Sequence, residues 1–196
     1  SEMCIRDRAK TLKLPYLDTG LLYRATAKRV LESGGDPTNE LDAIAAAWEL
    51  SEADTARGDL RDAATSKAAS QVAGIPAVRE ALLAYQRSYG NTKGAVLDGR
   101  DIGTVIFPQA DVKLYITASV EARAKRRHAE FLARGESVAL EQVIADVAAR
   151  DAADSSRATA PLLPAEDAVH IDTTALNADE AFAAALSVVQ QKTGIK

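Results

Sequence analysis

Two short apolar runs end in the same kind of polar turn, "PYLDTG" at residues 15–20 and "AVLDGRD" at 95–101. Runs this short, bounded by turn residues, suit strands covered on both faces better than helices. "VKLYI" at 112–116 and "AVHID" at 168–172 read the same way. Between them, apolar residues recur at helical spacing over 21–33, 39–50, 65–73, 76–89, 120–134, 138–151 and 178–192. The punctuation agrees: Gly34-Gly35, Gly90, Gly135 and Gly194 stand at helix ends, and Pro76 in a first turn. Asn39 and Ser119 stand at N-caps, and Asn177 with Glu180 forms a capping box. Short strands alternating with helices imply an α/β fold, a parallel sheet with helices on both faces. The stretch 51–65, "SEADTARGDLRDAAT", is polar and weakly periodic and is expected to be loop or loose helix.

Composition narrows the classes. The 196 residues suffice for one domain with a sizeable core. A net charge of −4 and a pI near 5.3 argue against a general nucleic-acid binder. No apolar run approaches the roughly 18–20 residues of a membrane span, and the start lacks the apolar stretch of a signal peptide. A cytoplasmic protein without membrane or nucleic-acid partners is expected. One cysteine, Cys4, excludes an internal disulfide framework and a Cys-rich zinc site. His128 and His170 lie far apart, so a metal site made only of side chains is not expected.

Ligands of open parallel sheets gather at the carboxyl ends of the strands. That places Asp18, Thr19, Asp98, Arg100 and Asp101 at one edge. Asp-Gly and Asp-Thr-Gly are also ordinary turn chemistry, but two such turns, one with an arginine, favour a site. Arg24 follows within the first turns of a helix, where a cation opposes the dipole. A bound phosphate would offset that, since arginine offers paired donors to anionic oxygens. Tyr23 suits either a base or the core. "VEARAKRRHAEFLARG" carries Arg123, Lys125, Arg126, Arg127 and Arg134, either a solvated helix face or a lid over phosphates. Arg150 and Arg157 lie seven apart, with a loop expected around Arg157.

The strings "LPYLDTGLLYR", "AASQVAGIPAVREALLAYQR", "VLDGRDIGTVIFPQADVKLYITAS", "EARAKRRHAE" and "RDAADSSRATAPLLPAEDAVHIDTT" together resemble one family, bacterial cytidylate kinase. "DGRDIGTVIFP" followed by "RATAPL" is the most specific combination. The resemblance implies the P-loop nucleoside monophosphate kinase fold, and phosphoryl transfer from ATP with Mg2+ to CMP or dCMP by a monomer. It implies that Asp101 and Ser70 read the cytosine amino group and Arg79 its N3 and O2. Arg24, Arg100 and Arg157 would hold phosphate, and Arg150 and Asp154 the sugar. Asp98, with Asp18 at the same edge, would help order the magnesium shell. Arg123, Arg126 and Arg127 would belong to a lid spanning about 119–157, and about 36–94 would be the monophosphate-binding region.

Two departures stand out. The stretch 51–65 is shorter than the insert of this family, so helices with little or no added sheet are expected there. No GxxxxGK[ST] phosphate loop occurs in the sequence, although the family places one ahead of "LPYLDTG". Residues 1–8 resemble nothing in the family and read as a non-native segment ahead of a single domain over 9–196. The chain therefore reads as a fragment whose central first strand, between 95–98 and 112–116, is missing. Such a chain is expected to recognise CMP and to turn it over poorly. A kinase for UMP, a non-catalytic nucleotide-binding remnant, and a nucleic-acid binder built on "RAKRRH" are the competing readings.

Overall fold

The computed structural model describes residues 2–92 and 94–195. They form two compact units, essentially Cys4–Ile102 and Gly103–Lys196. The first holds α1 (Glu2–Thr11), β1 (Tyr16–Asp18), α2 (Thr19–Glu32), α3 (Glu40–Trp48), α4 (Glu52–Thr55), α5 (Ala63–Ala73), α6 (Pro76–Asn91) and β2 (Val96–Asp98). A π-helical turn, Ile102–Ile106, begins where it ends. The second holds β3 (Leu114–Thr117), α7 (Val120–Ala133), α8 (Leu140–Ser155), β4 (Val169–Asp172) and α9 (Ala178–Thr193).

The strands pair in parallel, β1 with β2 and β3 with β4, as two two-stranded sheets. The α/β class and parallel pairing are as expected. Among the described residues each strand has one hydrogen-bonded neighbour. In the first sheet the register sets Tyr16 beside Val96, Leu17 beside Leu97 and Asp18 beside Asp98. The two strand-end carboxylates therefore share one edge.

Two strands alone make a marginal sheet in water, so the core is largely helical. In the first unit it is built from Leu22, Tyr23 and Ala27 of α2, Ala43 and Ala47 of α3, Ala68, Ala69 and Val72 of α5, and Val78 and Leu82 of α6. The α2 and α5 helices share this cluster, with Ala27 on one and Ala68 and Ala69 on the other. The second unit buries a smaller set, Ala124 of α7 against Val143 and Val147 of α8, flanked by Phe131, Leu140 and Ile144.

Several boundaries differ from expectation, for local reasons. The α2 helix begins at Thr19 because Asp18 caps it, its side chain accepting from the Gly20 N–H at 2.9 Å. The α6 helix passes Gly90 to Asn91: Tyr89 Oη donates to the Tyr16 carbonyl at 2.8 Å, anchoring the last turn, and Gly94 with φ 74° follows. The α8 helix continues through Asp151 to Ser155, where a loop was expected. The stretch 51–65 forms α4 and the start of α5 and adds no strand. Residues 2–8 lie within α1, Glu2–Thr11. The caps at Asn39, Ser119 and Asn177 form as expected, the last a complete capping box with Glu180.

Candidate active site

The turn after β2 is fixed by contact with the turn after β1. Thr19 Oγ1 donates to the Asp98 carbonyl at 2.7 Å and is buried. A Cβ built on Gly99 would lie 2.2 Å from that Oγ1 and 2.9 Å from Ile102 Cδ1. Glycine is thus required at 99 because a neighbouring side chain occupies the space. The close packing of "LDTG" on "LDGRD" places Asp18, Thr19, Asp98, Arg100 and Asp101 together, as the sequence implied. Arg100 is exposed at this edge, while Asp101 turns inward.

Asp101 meets Arg79 of α6. Arg79 Nη2 lies 2.6 Å from Asp101 Oδ2, and the two side chains are 8% and 5% exposed. Arg79 Nη1 donates to the Ala73 carbonyl at 3.1 Å, and its guanidinium stands 5.2 Å from the centre of the Tyr23 ring. A buried pair needs such extra contacts, because desolvation of two charges opposes their attraction. Tyr23 is a core residue here, with its ring supporting Arg79. Ser70 is half-buried on α5, the helix packed against α2.

Arg24 is buried in the second turn of α2. Its Nη1 donates to the Leu60 carbonyl at 3.1 Å and to Ser66 Oγ at 2.7 Å. Arg61 Nη2 approaches Asp18 Oδ2 at 3.6 Å. Neither Ser66 nor Arg61 was marked out by the sequence; the only signal was dense charge in an otherwise featureless stretch. A cleft of about 370 Å³ beside β1 is lined by Tyr16, Asp18, Glu52, Tyr85 and Tyr89 among others. Of the site candidates only Asp18 borders it, so the paired charges and not this cleft define the site.

The second unit carries the remaining candidates. The extra turn of α8 puts Asp154 on the helix with Arg150. The buried Asp154 carboxylate lies 2.8 Å from Arg157 Nη2 and 4.0 Å from Arg150 Nε. The arginines predicted on a helix and a loop are therefore gathered by one acid. On α7, Arg123 forms a two-pronged pair with Asp151, at 2.8 and 2.5 Å, and that hydrogen bonding raises its pKa. Arg126 donates to the carbonyls of Thr173 and Leu176, at 2.5 and 3.2 Å, tying α7 to the chain after β4. Arg127 stacks on Phe131 at 5.5 Å. Among the described residues, no group of three or more His, Cys, Asp or Glu side chains is arranged to hold a metal ion. None of their helices is long and apolar enough to cross a membrane.

Parallel strands ending in carboxylates, with buried arginines behind them, fit a P-loop nucleoside monophosphate kinase fold. The family model for cytidylate kinase matches residues 3–191. A cytidylate kinase of Acidiphilium cryptum is 53% identical over 186 residues, covering 95% of this chain and 88% of that protein. One of Granulibacter bethesdensis is 51% identical over 187 residues, covering 95% and 90%. One of Methylocella silvestris is 53% identical over 178 residues, covering 90% and 82%. The chain belongs to the cytidylate kinase family and is, in class, a kinase.

Proposed function

We propose that this chain's reaction is transfer of the terminal phosphoryl group of ATP to CMP or dCMP, giving ADP and CDP or dCDP. The observation that carries the acceptor assignment is the buried Arg79–Asp101 pair. It sets a donor beside an acceptor, the complement of cytosine's N3 and O2 acceptors beside its amino donor. Ser70 would share the amino group with Asp101. Uracil presents a carbonyl where cytosine has its amine, so Asp101 disfavours it.

The residues act by position and charge. Arg24, Arg100 and Arg157 hold the acceptor phosphate and offset charge as the phosphoryl group moves. Arg150 and Asp154 orient the sugar, and Arg123, Arg126 and Arg127 belong to the ATP-facing lid. Thr19 holds the two strand-end turns in register, so that Asp18, Asp98 and Asp101 keep their places. Magnesium bound with ATP would supply charge neutralisation at the phosphates. The strand-end carboxylates of Asp18 and Asp98 suit hydrogen bonding to its water shell. Residues 9–196 act as one kinase domain, with about 36–94 as the acceptor region and about 119–157 as the lid. A cytoplasmic monomer in pyrimidine metabolism is the setting that fits, with no nucleic-acid or membrane partner.

The test is a nucleotide panel with ATP and Mg2+, in a coupled assay beside calorimetry. CMP and dCMP are expected to exceed UMP in both binding and turnover. Binding of CMP without turnover would favour a non-catalytic remnant. Equal use of UMP would remove the base assignment.

A further inference from the structure

The charge-dense stretch 49–62 is fastened to one stripe of α2. Arg24, Lys28 and Glu32 recur every four residues, and so lie along one face of that helix. Arg57 grips Glu32 with two hydrogen bonds, at 2.8 and 2.6 Å, and Asp59 with two more, at 2.9 and 2.7 Å. Lys28 lies 3.5 Å from both Asp59 and Asp62. Asp62 in turn caps α5 through the Thr65 N–H at 2.8 Å. On the other side, Arg29 bonds Glu49 at 2.6 Å and Asp54 at 3.3 Å. The loop between Arg57 and Asp62 is held at both ends, and inside it Leu60 is 1% exposed, its carbonyl accepting from Arg24.

We infer that Arg57 is a positioning residue: through Glu32 and Asp59 it fixes the loop whose Leu60 carbonyl, with Ser66, holds the Arg24 guanidinium for a substrate phosphate. The inference rests on the reading of Arg24 as a phosphate ligand. The physical argument concerns direction. Burial of the Leu60 side chain fixes where the loop sits, but leaves the peptide plane at 60 able to rotate. The fork from Arg57 to acids on the helix and in the loop holds residue 59, next to that peptide, and so limits its rotation. An arginine whose anchor has turned away must be ordered again by each incoming phosphate, at a cost in affinity. Arg57 itself makes no contact that reads a base, so its influence should fall on the phosphate alone.

The experiment compares CMP with cytidine, by calorimetry on the full chain, and reads the ratio of their dissociation constants. That ratio isolates the phosphate contribution from the base and from overall stability. Arg57→Ala is expected to lower the ratio about three- to tenfold while cytidine affinity holds, the size of a weakened charge-assisted hydrogen bond. Arg57→Lys, unable to fork, should fall between. Glu32→Gln, which keeps Arg57 and Asp59 paired, should move the ratio the same way if Arg57→Ala does not fold. An unchanged ratio in the folded Arg57 or Glu32 variants, with only the melting temperature lowered, overturns the inference and makes the clamp purely structural. Arg24→Ala is the control that separates this from the reading beneath it. If Arg24→Ala leaves the ratio intact, or if CMP binds the unaltered chain no better than cytidine, Arg24 is not a phosphate ligand and the inference falls with that reading.

Discussion

Asp101 and Arg79 show how much depends on a single buried pair. Removing one partner leaves the other charged and out of water, at a cost of about 3–5 kcal/mol. Asp101→Ala is expected to lower unfolding free energy by that order, while a double change to Arg79→Met with Asp101→Leu loses less. Urea unfolding of the three proteins checks it; equal losses would mean the pair is not buried in solution. In binding, Asp101→Asn keeps a carbonyl acceptor and should retain CMP better than Asp101→Ala, while neither change weakens UMP and Asp101→Asn, whose amide can donate to the uracil carbonyl, should strengthen it. Gly99 is constrained by space alone. Gly99→Ala would push on the buried Thr19 hydroxyl and break its bond to the Asp98 carbonyl. A loss of about 1–3 kcal/mol is expected, as for other overpacked sites. A melting curve like that of the parent would show that the two turns separate easily.

Among the elements, α2 does the most varied work. One face builds the core, its first turn presents Thr19 to the neighbouring turn, and a polar stripe holds the loop after α4. The pH response of that stripe has a definite sign. Hydrogen bonds from Arg57 hold the Asp59 carboxyl down at about 2 and lower that of Glu32. Carboxylates depressed on folding contribute stability that is fully present above their unfolded values, near 4, and is lost as pH falls through the folded ones. The stability difference between the parent and Arg57→Ala should therefore be constant from neutral pH down to about 4 and vanish towards pH 2. Denaturant titrations of both proteins across that range measure it; a difference that persists at pH 2 would point to packing by the arginine stem. The α8 helix supplies the other lesson at this scale. Its added turn brings Asp154 within reach of both Arg150 and Arg157. Arg157→Ala is expected to cut phosphorylation about a hundredfold in steady-state kinetics, if its donors serve the moving phosphate.

Across the whole molecule the two units differ in what they bury. The first has a ten-residue cluster drawn from α2, α3, α5 and α6, the second a three-residue one between α7 and α8. Local opening follows the apolar contact that must be broken. Amide exchange should be slowest in α2, α5 and α6 and distinctly faster through α7 and α8. Uniform protection along the chain would contradict that ordering.

Much of this was legible beforehand, and for a common reason. Strand runs, helix periods and caps are set by residues within a few positions of each other, so Asn39, Ser119 and the Asn177–Glu180 box were recognisable one by one. The two "LD" turns announced the edge where Asp18 and Asp98 meet. The pairing of Arg79 and Asp101 as site residues came from the resemblance, since nothing local in "AVREALL" or "GRDIG" marks a buried ion pair. What the tertiary structure alone decided are pairings between distant residues. Helix α6 outlasts Gly90 because Tyr89 finds the Tyr16 carbonyl, and α8 outlasts its polar stretch where Asp154 collects two arginines. Gly99 is obligatory because Thr19, eighty positions earlier, fills its space, and a loop that looked merely polar holds Arg24 because α2 offers it alternating charges. Propensity and capping act along the chain and can be read there; an ion pair or a steric limit exists only once folding has brought both partners together.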